Sequence, residues 1–247
     1  MVQTQGTMAK IFRLKQFEIY QEASALKVGT DGMLLGGYIA HHFQEHQPKT
    51  VLDVGTGTGI IALMLAQAFP AAHITGIELD SASAKEASYN ASHSPFADRV
   101  IIQEQDYRTY RCETHYDLIL SNPPYYTPTH QNSDQRETIA KHSVTLSPNQ
   151  FFATSLHHLA PEGQIATILA TTAQSVYIKA ANEYDIHPQH HLYIQTTQSK
   201  APKRVLTLWS QELTPCSTSH LTILAGVGTH NYTPEYTQLL RPYLTIL

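Results

Sequence analysis

The residues best able to do chemistry in this chain are Asn122, Pro123, Pro124 and Tyr125, which follow the apolar run Tyr116-Asp117-Leu118-Ile119-Leu120-Ser121. Such a run reads as a buried parallel strand. Two prolines stop it, because each fixes φ and lacks a backbone N–H. The residue ahead of a proline is pushed to extended geometry, so Asn122 is held at the strand's carboxyl end. In open α/β sheets that end is where ligands bind. The Asn122 amide offers an acceptor oxygen and donor hydrogens, the prolines leave carbonyls with no N–H beside them, and Tyr125 offers a flat face. Together they make a receptor for a planar group bearing an NH2, whose hydrogens go to the Asn122 oxygen and a prolyl carbonyl while its ring lies on Tyr125. An adenine meets that description, and so does a glutamine side-chain amide.

A second constellation lies upstream. Thr50-Val51-Leu52-Asp53-Val54 reads as another buried strand, Gly55, Gly57 and Gly59 alternate after it, and an apolar helix begins at Ile60. Strand, glycine loop and helix make a cofactor-binding start. A dinucleotide fingerprint needs Gly or Ala three positions beyond its second glycine, where this chain has Ile60. GxGxG after an acid instead resembles S-adenosylmethionine (SAM) methyltransferases. The glycines let backbone approach the methionine part of such a cofactor without Cβ clashes. Asp53 can organise the loop and reach the amino group, directly or through water. Glu78 ends the next strand, residues 73–80, about twenty residues past the loop, where a carboxylate takes both ribose hydroxyls. Leu79 stands beside it. Asp106 and Tyr107 follow a third strand, residues 99–102, with Asp106 placed to accept from the adenine amino group. Lys27, Gly29 and Thr30 precede the first helix and can close over the same ligand.

These residues need a particular scaffold. Residues 12–20 alternate as a half-buried strand does, and Thr30 or Asp31 can cap a helix running through Phe43. Ser81 can cap the helix after the second strand. Beyond the central strand, residues 148–159 and 171–184 read as helices, and residues 164–169 as a strand. Residues 191–195 and 205–209 read as an antiparallel closing pair, residues 221–224 as a further strand and 234–244 as a last helix. The expectation is an α/β, Rossmann-like class I methyltransferase fold. It has a mostly parallel seven-stranded sheet, an antiparallel closing strand and helices on both faces. Residues 1–247 form one domain, in which the strand and helix of residues 1–47 pack over the cofactor site.

The totals narrow the classes. With 247 residues the chain can bury a full core. A net charge of -4 excludes a strongly basic overall surface, so any nucleic-acid contact rests on local patches. Candidate cations are Arg13, Lys15, Arg136 and Lys141 of a polar loop, and the cluster Lys200, Lys203, Arg204. Whether protonation of the 15 histidines adds positive charge stays open. His42 and His46 have helical i, i+4 spacing, but no Cys or carboxylate cluster accompanies them, so no metal site is expected. Cys112 and Cys216 show no disulfide or metal pattern, and neither has a neighbouring His in sequence to make it a nucleophile. With no membrane-length apolar run and no signal-peptide core, the expectation is a cytoplasmic protein, monomeric rather than obligately oligomeric.

With Asp53-Val-Gly-Thr-Gly-Thr-Gly and Asn122-Pro-Pro-Tyr both present, the chain resembles class I methyltransferases that modify exocyclic or amide nitrogens. More narrowly it resembles the bacterial tRNA(Val) adenine-N6-methyltransferases. That resemblance extends to the block starting at Lys27-Val-Gly-Thr-Asp-Gly, to Pro202-Lys-Arg-Val and to the segment from Tyr232 to Tyr243. It implies SAM as cofactor, S-adenosyl-L-homocysteine as product, no metal, and tRNA as partner. The target is the adenine following the anticodon, flipped out and stacked on Tyr125. The readings kept beside it are N-methylation of a DNA or rRNA base or of a protein glutamine, and a catalytically silent SAM-binding RNA module.

Overall fold

In the computed structural model, which describes residues 11–24, 26–123, 146–226 and 231–247, the chain opens with a hairpin. β1 (Ile11–Arg13) and β2 (Glu18–Tyr20) pair antiparallel, with Ile11 opposite Tyr20. The expected single strand over residues 12–20 is thus two, because the Leu14 N–H donates to the Phe17 carbonyl at 2.9 Å and turns the chain. α1 (Thr30–His42) follows. Its N-cap is Gly29, with no side-chain cap, so the capping role expected of Thr30 or Asp31 is not filled. The helix stops at His42, which removes the shared helical face expected of His42 and His46.

The alternating elements come next: β3 (Thr50–Val54), α2 (Ile60–Ala68), β4 (His73–Glu78), α3 (Ser81–Ser92), β5 (Val100–Glu104), a 3-10 turn (Tyr107–Thr109) and β6 (Tyr116–Ser121). Asp80, rather than Ser81, caps α3, its carboxylate accepting from the Ser83 N–H at 2.8 Å. Then come α4 (Pro148–His158), β7 (Leu159–Ala170), α5 (Gln174–Asn182), β8 (His187–Thr197), β9 (Arg204–Ser210), β10 (Ser217–Leu224) and α6 (Pro234–Leu240). α4 starts with a capping box between Ser147 and Gln150 and carries Pro148 in its first turn, where a missing N–H costs nothing.

Eight strands form one sheet in the order β10-β8-β9-β7-β6-β3-β4-β5. β9 runs antiparallel to β7 and β8, and the other pairings are parallel. The doubly wound α/β architecture read from the sequence is present, with β10 extending the sheet to an eighth strand beyond β8. Apolar strands covered on both faces explain the run in β6: Leu118 and Leu120 join the cluster with Val51, Leu63 and Leu35, while Ile119 joins Leu52, Phe152 and Trp209. α1 lies tight against its neighbours. A Cβ at Gly36 would come within 3.0 Å of the Met64 sulfur, and one at Gly37 within 2.7 Å of a Leu240 methyl.

After β3 the chain builds outward through β4 and β5, then returns to place β6 on the other side of β3. That reversal opens a crevice at the carboxyl ends of β3 and β6, the usual ligand position in such sheets.

Candidate active site

The strand registers set the candidate residues side by side at the carboxyl edge. Ser121 pairs with Val54, and Val54 pairs with Ile77, so Asn122, Gly55 and Glu78 are level on three adjacent strands. Two strand spacings, about 10 Å, therefore separate Asn122 from Glu78 along the sheet. The Ser121 hydroxyl donates to the Val54 carbonyl at 2.8 Å and is buried, which fixes these two strand ends against each other. Asn122 and Pro123 are partly buried at the end of β6. Pro124 and Tyr125 lie outside the described residues.

The glycine loop has the conformation its composition requires. Gly55, Gly57 and Gly59 have φ of 72°, 57° and 80°, a region that costs L-residues with a Cβ about 1 kcal/mol or more. A Cβ at Gly55 or Gly57 would meet nothing within 4 Å, so their α-carbons face open space. The loop is held by the Gly55 and Thr56 N–H groups donating to the Ile77 carbonyl at 2.8 and 3.0 Å. The Glu78 carboxylate adds to this, accepting from the Gly57 N–H and the Asp80 N–H, each at 2.9 Å. Each carboxylate oxygen has a further lone pair for another donor. Asp53 is wholly buried, and the Thr56 hydroxyl donates to its Oδ2 at 2.6 Å. Its Oδ1 is buried without a hydrogen bond of ordinary geometry. Burial pushes the Asp53 carboxyl up to about 7, against the Thr56 hydroxyl and the Ala62 amide, which favour the charge, and with the nearby Glu78 adding to the rise. Open α-carbons, an underused buried acid and a strand-end carboxylate together fit a cofactor carrying an ammonium and a ribose.

Two α3 side chains that sequence reasoning did not single out anchor the N-terminal segment. Glu86 accepts from the backbone N–H groups of Glu22, Ala23 and Ser24 at 2.5, 2.8 and 2.7 Å, and from the Ser24 hydroxyl. Burial works against its charge, but these donors hold its carboxyl below the usual range. Asn90 is buried, exchanges hydrogen bonds with the Tyr20 backbone at 2.9 and 2.8 Å, and donates to the Thr58 carbonyl at 2.9 Å. A polar residue among the buried positions Ala87, Asn90 and Ala91 was the available signal. Lys27 donates to the carbonyls of Glu22 and Ser24 at 2.9 and 3.1 Å. Gly29 and Thr30 lead into α1, whose Gly32 lies against Ile60 and Ile61 at the start of α2.

The adenine-side residues differ from one another. Leu79 is exposed just past Glu78 and offers an apolar surface at the edge. Asp106 is engaged by Arg108, whose Nε and Nη2 donate at 2.9 and 2.6 Å, and these bonds hold its carboxyl below the ordinary value. Tyr107 is buried, with its hydroxyl 2.9 Å from the Ser155 hydroxyl, so its ring belongs to the core rather than to the crevice.

The chain is also similar to known proteins. Residues 36–179 match the family model described as "Methyltransferase small domain". The chain is 36% identical over 242 residues to a Porphyromonas gingivalis protein named tRNA1(Val) (adenine(37)-N6)-methyltransferase, covering 95% of each. Proteins of the same name from Aeromonas hydrophila and Bacteroides thetaiotaomicron are 36% and 34% identical, over 94% of this chain and 96% of theirs. The chain belongs to the tRNA1(Val) (adenine(37)-N6)-methyltransferase family. Its fold is that of class I methyltransferases. A predicted O-methyltransferase from Agrobacterium tumefaciens matches with a TM-score of 0.66 at 18% identity, covering 86% of this chain and 96% of that one. A glycopeptide N-methyltransferase solved with SAM matches with a TM-score of 0.54 at 11% identity, covering 74% and 99%.

For a member of this tRNA-methyltransferase family, the expected RNA-facing cations fall into separate places. Arg13 is bridged to Glu18 at 2.7 Å, and Lys15 donates to the carbonyls of Arg241 and Leu247 at 2.6 and 3.2 Å. Their hairpin packs on Asn90 through Tyr20 and on Phe96 through Phe17. Lys200 and Lys203 lie in the turn between β8 and β9, with Arg204 starting β9 opposite Ala170, the last residue of β7. That turn therefore shares the carboxyl edge with Asn122. Arg136 and Lys141 lie outside the described residues. Cys112 does have a histidine neighbour, contrary to the sequence expectation: its sulfur is 3.5 Å from His158 Nδ1, brought there by the α4 end rather than by sequence proximity. Among the described residues no group of three or more His, Cys, Asp or Glu could hold a metal ion, and no helix is long and apolar enough to cross a membrane.

Proposed function

We propose that this chain transfers the methyl group of SAM to the exocyclic N6 of adenine 37, the base following the anticodon, in tRNA1(Val). The observation that carries the reading is the level arrangement of Asn122, Gly55 and Glu78 at one sheet edge, in a chain that aligns with tRNA1(Val) relatives over 95% of its length. When bound, SAM supplies an electrophilic methyl carbon on a sulfonium sulfur. The glycine loop and Asp53 receive its methionine end, Glu78 its ribose, and Leu79 and Asp106 its adenine side, with residues 27–30 closing beside them. The Asn122 oxygen and the Pro123 carbonyl accept the two N6 hydrogens and aim the nitrogen lone pair at the cofactor. Pro124 and Tyr125 keep the roles read from the sequence: rigid backbone and stacking surface. Because the N6 proton would leave only after the methyl group had passed from sulfur to nitrogen, no residue of this chain would need to be a strong base. Catalysis is then chiefly positioning.

The same reading takes residues 1–247 as one domain, with the hairpin and α1 over the cofactor site. Asn90, which joins Tyr20 to Thr58, supports it. It also implies a monomeric cytoplasmic enzyme that releases S-adenosyl-L-homocysteine and requires no metal, with Lys200 and Lys203 facing the RNA. The test is labelled-methyl transfer from SAM into tRNA from a strain lacking this gene, followed by nucleoside mass analysis. An N6-methyladenosine signal that disappears with Asn122→Ala is expected. SAM binding without label in tRNA would overturn the acceptor and point to DNA, another RNA or a protein amide.

A further inference from the structure

Arg204 looks from the sequence like a phosphate contact, but its surroundings give it a different task. Its Nε donates to the Asp31 carboxylate at 3.0 Å and its Nη1 to the Lys203 carbonyl at 3.1 Å. Both side chains of the ion pair are largely covered, at 30% and 20% exposure, unlike the Arg13–Glu18 pair at 69% and 43%. Arg204 sits between two strands, paired with Ala170 of β7 and Ile194 of β8. The Thr171 N–H also donates to the carbonyl of Lys203 at 3.2 Å, so the arginine's base is fixed from several sides. Asp31 is in a different situation. It lies in the first turn of α1, directly after residues 27–30, in a helix that begins at Gly29 without a side-chain cap. One residue further on, Gly32 faces α2: a Cβ added there would lie 3.6 Å from the Ile60 side chain, just behind the glycine loop.

We infer that Arg204 is a positioning residue for the cofactor site: through Asp31 it holds the uncapped start of α1, and with it residues 27–30, beside the glycine loop. This rests on the reading of residues 27–30 as cofactor-binding. It also ties the turn carrying Lys200 and Lys203 to the cofactor side of the crevice by one ion pair. Neither residue touches the reacting atoms, so the signature is in cofactor affinity rather than in the rate at saturation.

The experiment is calorimetric SAM affinity and steady-state kinetics for the full chain and for Asp31→Asn, Arg204→Gln, the double variant and Gly57→Val. Expected are losses of SAM affinity near five-fold in each single variant, the upper range for a partly exposed pair. The double variant should be no worse than either single, because both remove the same interaction. The rate at saturating SAM should stay within about two-fold, giving a KM effect without a kcat effect. The proposal is overturned if Arg204→Gln lowers tRNA affinity and its salt dependence while Asp31→Asn changes neither, since that marks a phosphate contact. It is also overturned if neither single variant alters SAM affinity while Gly57→Val weakens it, a result that leaves the cofactor site standing. Were Gly57→Val also without effect, the cofactor reading itself would fall.

Discussion

The hydroxyl of Ser121 donates to the carbonyl of Val54 at 2.8 Å, joining the residue before Asn122 to the residue before Gly55. The acceptor side and the donor side of the crevice thus share one buried hydrogen bond. Ser121→Ala should cost about 1 kcal/mol of stability, a fall of about 2–4 °C in thermal midpoint for a chain of this size. Turnover should fall further, by about ten-fold or more, because misplacing Asn122 degrades alignment of the reacting atoms. A stability loss with unchanged kcat would show that the bond is structural alone.

Glu78 holds the loop through Gly57 and Asp80, so its replacement tests whether loop shape governs cofactor affinity. Glu78→Gln keeps the size but turns one acceptor into a donor facing an N–H. SAM affinity should drop about ten-fold or more, the range for hydrogen bonds to a charged group. Isothermal calorimetry reads this directly, and an unchanged Kd would remove Glu78 from the site.

Asp53 gives a pH signature. Its folded-state value of about 7 lies above the ordinary carboxylate range. Its stabilising contribution is therefore complete below about pH 4 and is lost as pH rises through the folded value. Asp53→Asn, which can still accept from Thr56, should gain thermal midpoint relative to wild type as pH rises through that window, while binding SAM more weakly. Parallel melting curves at pH 5 and pH 8 suffice; a constant gap between the two proteins would refute the buried charge.

Four histidines, His42, His158, His190 and His191, are not sources of the positive charge an RNA partner calls for. Burial pushes His42, His158, His190 and His191 below the ordinary imidazole value, so they stay neutral around pH 7. Their depressed values stabilise the fold above about pH 6.5 and withdraw that stability as pH falls below it. Fluorescence titration of tRNA binding should be flat between pH 8 and about 6.5. A steep gain in affinity on acidification would require other histidines to act.

The fold was largely legible because its signals are local. β3, the glycine loop and β6 announce themselves by apolar runs and chain-stopping residues, and the structure puts their strand ends level. The misreadings concern contacts between distant segments. Thr30 and Asp31 resemble helix caps, but Asp31 answers to Arg204, 173 positions away. Tyr107 stands in the right place along the chain, yet its ring turns to Ser155 in the core. Glu86 and Asn90 read as ordinary helix residues until the N-terminal hairpin is brought against them. Periodicity reports which face is buried, not which partner waits there.

The reversal of strand order at β3 and β6 has an evolutionary consequence. Everything proposed to grip the cofactor, apart from residues 27–30, comes from β3, β4 and β5, and everything proposed to meet the acceptor comes from β6 onward. The two halves meet in the pairing of β3 with β6, and the Ser121 hydroxyl, the Tyr107–Ser155 contact and the Arg204–Asp31 ion pair cross between them. A lineage can therefore exchange acceptors by changing the later half of its gene, provided the residues that make these crossing contacts are kept.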